Sequence, residues 1–161
     1  MRRFTPWILA MTTAAAAPSA PARAHPDFSG TWTLDVSKSE GAMLPTAATL
    51  KVTQTEKSIV VERTTTAMGM TRSGTSTYAL DGSPSKNTVN ANGANVDFNS
   101  TAAWDDNVLV IKTTADFGGG SFAGTERYSL SEDKKTLVIA SDVSLAGQSM
   151  SGKQTFVKQS H

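Results

Sequence analysis

From Phe28 onward, apolar and polar residues alternate along the chain. Phe28, Gly30, Trp32, Leu34 and Val36 are separated by polar neighbours. The same period of two returns at Leu50 and Val52, Ile59 and Val61, Tyr78 and Leu80, Phe98, Ala102 and Trp104, Leu109 and Ile111, Tyr128 and Leu130, and Leu137 and Ile139. This alternation sets one side of each segment in a core and the other in water, as in a half-buried β-strand. Val, Thr, Ile and aromatic residues, which suit a pleated surface, enrich the same stretches. No window of eleven or more residues after position 25 carries a sustained apolar stripe at helical spacing. Turn chemistry falls between the segments, at Glu56-Lys57, Asp81-Gly82, Asn92-Gly93, Asp105-Asp106-Asn107 and Glu132 to Lys135. The pattern predicts ten strands, at about 28–36, 47–55, 58–66, 73–81, 86–90, 95–104, 107–116, 121–131, 135–143 and 149–158.

One spacing occurs three times. Ile59, Gly69, Gly74 and Tyr78 lie at offsets 0, 10, 15 and 19; so do Leu109, Gly119, Gly124 and Tyr128, and Leu137, Gly147, Gly152 and Phe156. Each copy reads as one long hairpin: an apolar triplet starts a strand, the glycine at offset 10 lies at the reversal, and the aromatic closes the return. The glycine at offset 15 falls inside the return strand, where a missing side chain suits a bend, a bulge or close packing. Strand parity puts Gly124, Glu126, Tyr128 and Leu130 on one face. Duplication, or shared geometry without it, accounts for the repeat. Equal arms suit a closed meander, because closure demands a consistent stagger. Ten antiparallel strands left flat would expose two edges, so the sheet closes into a barrel or folds into a sandwich. Sequential hairpins favour an all-β, antiparallel up-and-down meander barrel.

The first 24 residues stand apart from this pattern. Arg2 and Arg3, the apolar run Trp7 to Ala17 and the A-x-A site Ala22-Arg23-Ala24 match a secretory signal peptide. The run is too short to span a bilayer, which needs about 20 apolar residues, and no later segment is apolar enough to be an integral membrane segment. The arginine pair raises a twin-arginine route, although its surroundings match that signal poorly. Cleavage after Ala24 would leave residues 25–161 as one domain of 137 residues, with 12 basic and 14 acidic side chains, a net charge of −2. No basic run interleaved with aromatics supports nucleic-acid binding. Cysteine is absent, which removes thiol nucleophiles, disulfides and Cys-containing zinc sites. The expected location is the periplasm of a Gram-negative bacterium, or outside the cell.

The segments "FSGTWTLDVSKS", "AAWDDNVLVIKT", "TERYSLSEDKKTLVIASD" and "QTFVKQ" together resemble secreted bacterial lipocalin-like (calycin-type) proteins. The Gly-x-Trp on the first strand is similar to the opening of lipocalins and, more distantly, fatty-acid-binding proteins. The resemblance implies an up-and-down β-barrel with an internal cavity for an apolar small molecule. Two features depart from fatty-acid-binding proteins. Only about ten residues, interrupted by Pro45, separate Val36 from Ala47, too few for a two-helix lid. The last strand reads Gln154-Thr155-Phe156-Val157-Lys158 where an Arg-x-Tyr pair for a ligand carboxylate often stands.

The resemblance also implies that Trp32 seals one end of the barrel and stacks with a basic side chain. Arg127 or Lys158 would supply that partner, and sequence does not choose between them; Trp32 with Arg127 is the barrel-closing candidate. Arg63 shares a face with Ile59 and Val61, and Glu126 shares one with Tyr128 and Leu130. These opposite charges therefore either hold a ligand's polar group, pair with each other, or are turned to the surface by a bulge. Tyr78, Phe98, Trp104, Tyr128 and Phe156 line a cavity or pack the interior. The candidate ligand set is Arg63, Tyr78, Phe98, Trp104, Glu126 and Tyr128. Met68, Met70, Phe117 and Phe122 flank two hairpin tips and would put apolar groups near one rim.

No catalytic residues, metal site or cofactor are expected. The two histidines, His25 and His161, sit at the predicted mature termini, leaving nothing for a Ser-His-Asp triad. "DFGGG" follows no phosphate-binding template. The expected function is non-catalytic binding of a small apolar or amphipathic molecule. The rival is a structural or interaction barrel of the cell envelope with a filled interior. A cavity of several hundred cubic ångströms would separate the two.

Overall fold

The computed structural model describes residues 24–42, 44–91 and 94–160. The predicted leader, apart from Ala24, lies outside the described residues, as do the Asn92-Gly93 turn and His161. Among the described residues, eleven strands form one antiparallel sheet: β1 (Gly30–Leu34), β2 (Glu40–Gly41), β3 (Ala47–Gln54), β4 (Ser58–Ala67), β5 (Met70–Ala79), β6 (Ser85–Ala91), β7 (Ala94–Asp105), β8 (Val108–Phe117), β9 (Gly120–Leu130), β10 (Thr136–Leu145) and β11 (Gln148–Lys158). All but the two-residue β2 correspond to the ten predicted strands. The lateral order is β5-β4-β3-β1-β11-β10-β9-β8-β7-β6, with β2 pairing β11 beyond the end of β1. The first and last strands thus pair with each other, and the sheet wraps round as an all-β meander barrel without a helical lid.

The first strand is shorter than predicted. Gly30 has φ 134°, and at the other end Asp35 Oδ1 accepts bonds from Ser37 N at 3.1 Å and Ser37 Oγ at 2.6 Å, drawing Val36–Lys38 into one 3₁₀ turn. Val36 therefore lies outside the core instead of extending the inward row.

The repeated spacing is the register of the hairpins. Ile59 faces Tyr78, Leu109 faces Tyr128 and Leu137 faces Phe156 as directly opposed residues, so offset 0 pairs with offset 19. Offset 4 pairs with offset 15 in the same way: Arg63 with Gly74, Thr113 with Gly124, Ser141 with Gly152. A two-residue loop at offsets 9 and 10 makes those sums necessary. Two of the loops have both residues at positive φ, Met68 (50°) with Gly69 (74°) and Ala146 (48°) with Gly147 (83°), as a type I′ turn requires.

Closure is complete except at one seam. β5 and β6, consecutive in the chain and the two ends of the lateral order, touch but share no ladder. Asn87 takes the place of a backbone partner there, accepting from Thr77 N at 2.8 Å through Oδ1 and donating to Thr77 O at 3.2 Å through Nδ2. Ser85 Oγ accepts from Ala79 N at 2.9 Å. Asn87→Ala removes two of these three bonds and is expected to cost about 1–2 kcal/mol in urea unfolding. Amide exchange should quicken at Thr77 while that of the β8–β9 ladder holds.

The core fills the end of the barrel where the hairpins begin. Phe28, Trp32, Leu50, Ile59, Leu109, Ile111, Tyr128, Leu137, Ile139 and Phe156 are all at most 1% exposed. Trp32 Nε1 donates to Phe28 O at 2.9 Å, which satisfies the buried indole.

Candidate ligand cavity

Toward the hairpin tips the inward positions change character. On β4 the row Ile59, Val61 gives way to Arg63 and Thr65; on β5, Tyr78 gives way to Ser76 and Gly74; on β9, Tyr128 gives way to Glu126 and Gly124. Small residues leave the upper half unfilled, and a cavity of about 350 Å³ results, lined by those residues other than Ile59 together with Arg72, Ser73, Asn87, Val89, Phe98, Ser100, Thr113, Phe122 and Val143. A Cβ built on Gly74 would meet nothing within 4 Å, so this glycine opens directly on the space. At Gly124 the ring of Phe122 folds over the backbone and would lie 2.9 Å from an added Cβ. Phe122 meets Phe98 edge to face at 5.7 Å, and the two rings form one apolar wall. Gly152, at the same place in the third hairpin, is instead covered by β2: an added Cβ would lie 3.2 Å from Glu40 O.

A charged cluster joins the solid half to the hollow one. Arg63 Nη2 donates to Glu126 Oε1 and to Tyr128 Oη, each at 3.1 Å, and Tyr128 Oη donates to Glu126 Oε2 at 3.1 Å. The side chains of Arg63 and Glu126 are 33% and 25% exposed, facing the cavity. The neighbouring Glu126 carboxylate raises the pKa of Arg63 further above its ordinary value, against the opposing effect of burial. Burial, followed by the charge of Glu126, pushes the Tyr128 phenol well above its usual range. Burial also raises Tyr78, partly offset by its bond to Ser76. Both phenols are thus neutral hydrogen-bonding groups at ordinary pH.

Five of the six candidate ligand residues meet here: Arg63, Tyr78, Phe98, Glu126 and Tyr128. Of the readings open for Arg63 and Glu126, mutual pairing is present, and both also line the cavity. Trp104 is not part of the cavity. It faces inward but sits at the base, stacked on His25 at 4.3 Å and on Phe28 at 5.8 Å, because the register pairs it with Leu109 at the start of β8. Arg127 does not close the barrel on Trp32. Its parity is opposite to that of Glu126 and Tyr128, so it lies outside and pairs with Asp142 at 2.9 Å. Lys158 is the partner of Trp32: its Nζ lies 5.2 Å from the ring centroid. Arg72 is a lining residue that the sequence reading missed. It shares the parity of Gly74, Ser76 and Tyr78, but precedes the predicted start of that strand, since β5 begins at Met70. Among the described residues no group of three or more His, Asp or Glu side chains could hold a metal.

No family model matches the chain, and no curated protein does. Solved structures match its fold over most of its length. The REP1-NXSQ fatty acid transporter superposes with a TM-score of 0.51 at 10% identity, covering 83% of this chain and 97% of its own. A variant of the fluorescent protein UnaG gives 0.54 at 13% identity, over 83% and 97%. Zebrafish ileal bile acid-binding protein complexed with cholic acid gives 0.50 at 14% identity, over 82% and 98%. The chain is thus similar in fold to fatty-acid-binding proteins and other calycin-like barrels, as the sequence resemblance implied.

Proposed function

We propose that this chain is an exported, non-catalytic binding protein that holds one small amphipathic molecule in the upper half of its barrel. The observation that carries the reading is the cavity of about 350 Å³, walled on one side by Phe98 and Phe122 and on the other by the Arg63, Glu126 and Tyr128 cluster. An apolar wall facing a few convergent polar groups is what holds a small molecule by burial and orients it by hydrogen bonds. A barrel built only for structure would bring large side chains into that space, and serines and glycines stand there instead. The names of two similar folds, a fatty acid transporter and a bile acid-binding protein, agree with an amphipathic ligand. The leader at 1–24 supports export to the periplasm or beyond.

Native mass spectrometry of the protein purified from the cells that make it tests both parts. The expected spectrum shows a chain beginning at His25 and carrying a small molecule that organic extraction releases. Repeated recovery of an empty chain, with no thermal shift on exposure to a lipid panel, would count against the binding role.

A further inference from the structure

The polar floor of the cavity is electrically complete before any ligand arrives. Both oxygens of Glu126 accept hydrogen bonds, Oε1 from Arg63 and Oε2 from Tyr128. Arg63 uses Nη2 for both of its bonds, to Glu126 and Tyr128. Its Nη1 and Nε carry three further N–H donors that meet no partner among the described residues. Charge is therefore matched one to one, while donors are left over.

We propose that this cavity selects an amphiphile whose inner polar group is uncharged, such as a hydroxyl, an ester carbonyl or an amide, and disfavours the corresponding carboxylate. The inference rests on the ligand-binding reading above. A neutral oxygen can accept a charge-assisted bond from the spare Arg63 donors and loses little hydration on entry. A carboxylate could accept from the same donors, but it would bring a second negative charge beside Glu126, where the one positive charge is already matched, and its much larger desolvation would be only partly compensated. Arg72, the other cation of the lining, is exposed and pairs with no carboxylate among the described residues. It can hold an anion only with the headgroup outward and the chain inward, through a contact that water and salt weaken. The two orientations predict opposite selectivities.

Displacement of a neutral fluorophore, aminoanthracene, by dodecanol, methyl dodecanoate and dodecanoate at neutral pH separates them. Dodecanol and the ester are expected to bind about tenfold or more tightly than dodecanoate, since juxtaposed like charges are strongly disfavoured. Glu126→Gln keeps the shape and removes the negative charge. It should improve dodecanoate about a hundredfold and so reverse the order, because Arg63 is then an unmatched cation. The wild-type comparison stands even if that variant fails to fold. Dodecanoate binding as tightly as dodecanol to the wild type would overturn the proposal, and loss of that binding in Arg72→Gln would show that the headgroup is read at the rim. If neither the fluorophore nor any of the three ligands binds, the ligand-binding reading falls, and this proposal with it.

Discussion

Gly74→Leu is expected to leave the barrel folded and to weaken ligand binding about a hundredfold or more, as a clash built into a site does. An added Cβ there has nothing within 4 Å, and the backbone is not in the left-handed region, so the substitution meets no steric obstacle. Glycine inside a strand costs about 0.5–1 kcal/mol relative to alanine, so stability should hold or rise slightly. The new side chain occupies the space that a ligand would need. Gly152→Leu is the matched control, because it changes the same offset of the same repeat. There the added Cβ meets Glu40 O at 3.2 Å and Gly41 Cα at 3.7 Å, both backbone atoms that cannot rotate away. That variant should lose about 1–3 kcal/mol from overpacking while retaining affinity in the folded fraction. Calorimetric titration with dodecanol, alongside thermal melts, reads both effects.

Trp32→Ala is expected to be the most destabilising single change, at about 3–5 kcal/mol, which corresponds to a fall in melting temperature of about 10–20 °C. Trp32 is fully buried among Phe28, Leu50 and Phe156 at the solid end, bonds to Phe28 O and lies under Lys158 Nζ. Alanine would leave a void walled by β1, β3 and β11, where the barrel closes. Because Trp32 is not among the residues that line the cavity, the affinity of the molecules that remain folded should change little. Lys158→Met should cost only about 0.5–1 kcal/mol, the size of an exposed cation–π contact. Chemical denaturation followed by circular dichroism distinguishes the two.

The sequence disclosed face far better than height. Alternation by two fixes which side of the sheet a residue occupies, so Arg63, Glu126 and Tyr128 could be brought to one interior from parity alone. The same rule, applied to Arg127, would have excluded it from the interior and from the closing role expected of it, because it lies one residue from each of two inward side chains. Height along the barrel axis depends on register between strands, which parity does not carry. Trp104 has the parity of Phe98 but stands at the base, six residues farther along β7. The repeated spacing did contain that information, since offsets 0 and 19, and 4 and 15, are the cross-strand pairs. Reading them as pairs would have placed the aromatics at one level and the glycines at another. The seam between β5 and β6 was not legible, because a ladder replaced by Asn87 and Ser85 side chains leaves no mark in the alternation. The 3₁₀ turn after β1 was foreshadowed by Asp35 and Ser37, whose spacing suits a side chain bonding two residues on.

The barrel is divided into a packed base and a hollow top, which we propose takes up a small amphiphile. Backbone amide shifts recorded as dodecanol is titrated into labelled protein test this most directly. The account predicts that the amides of Gly74, Phe98, Phe122, Gly124 and Glu126 move together and saturate at one equivalent, while those of Trp32, Leu50, Leu137 and Phe156 stay in place. Shifts confined to the base or spread over the outer surface, or no saturable shift at all, would contradict it.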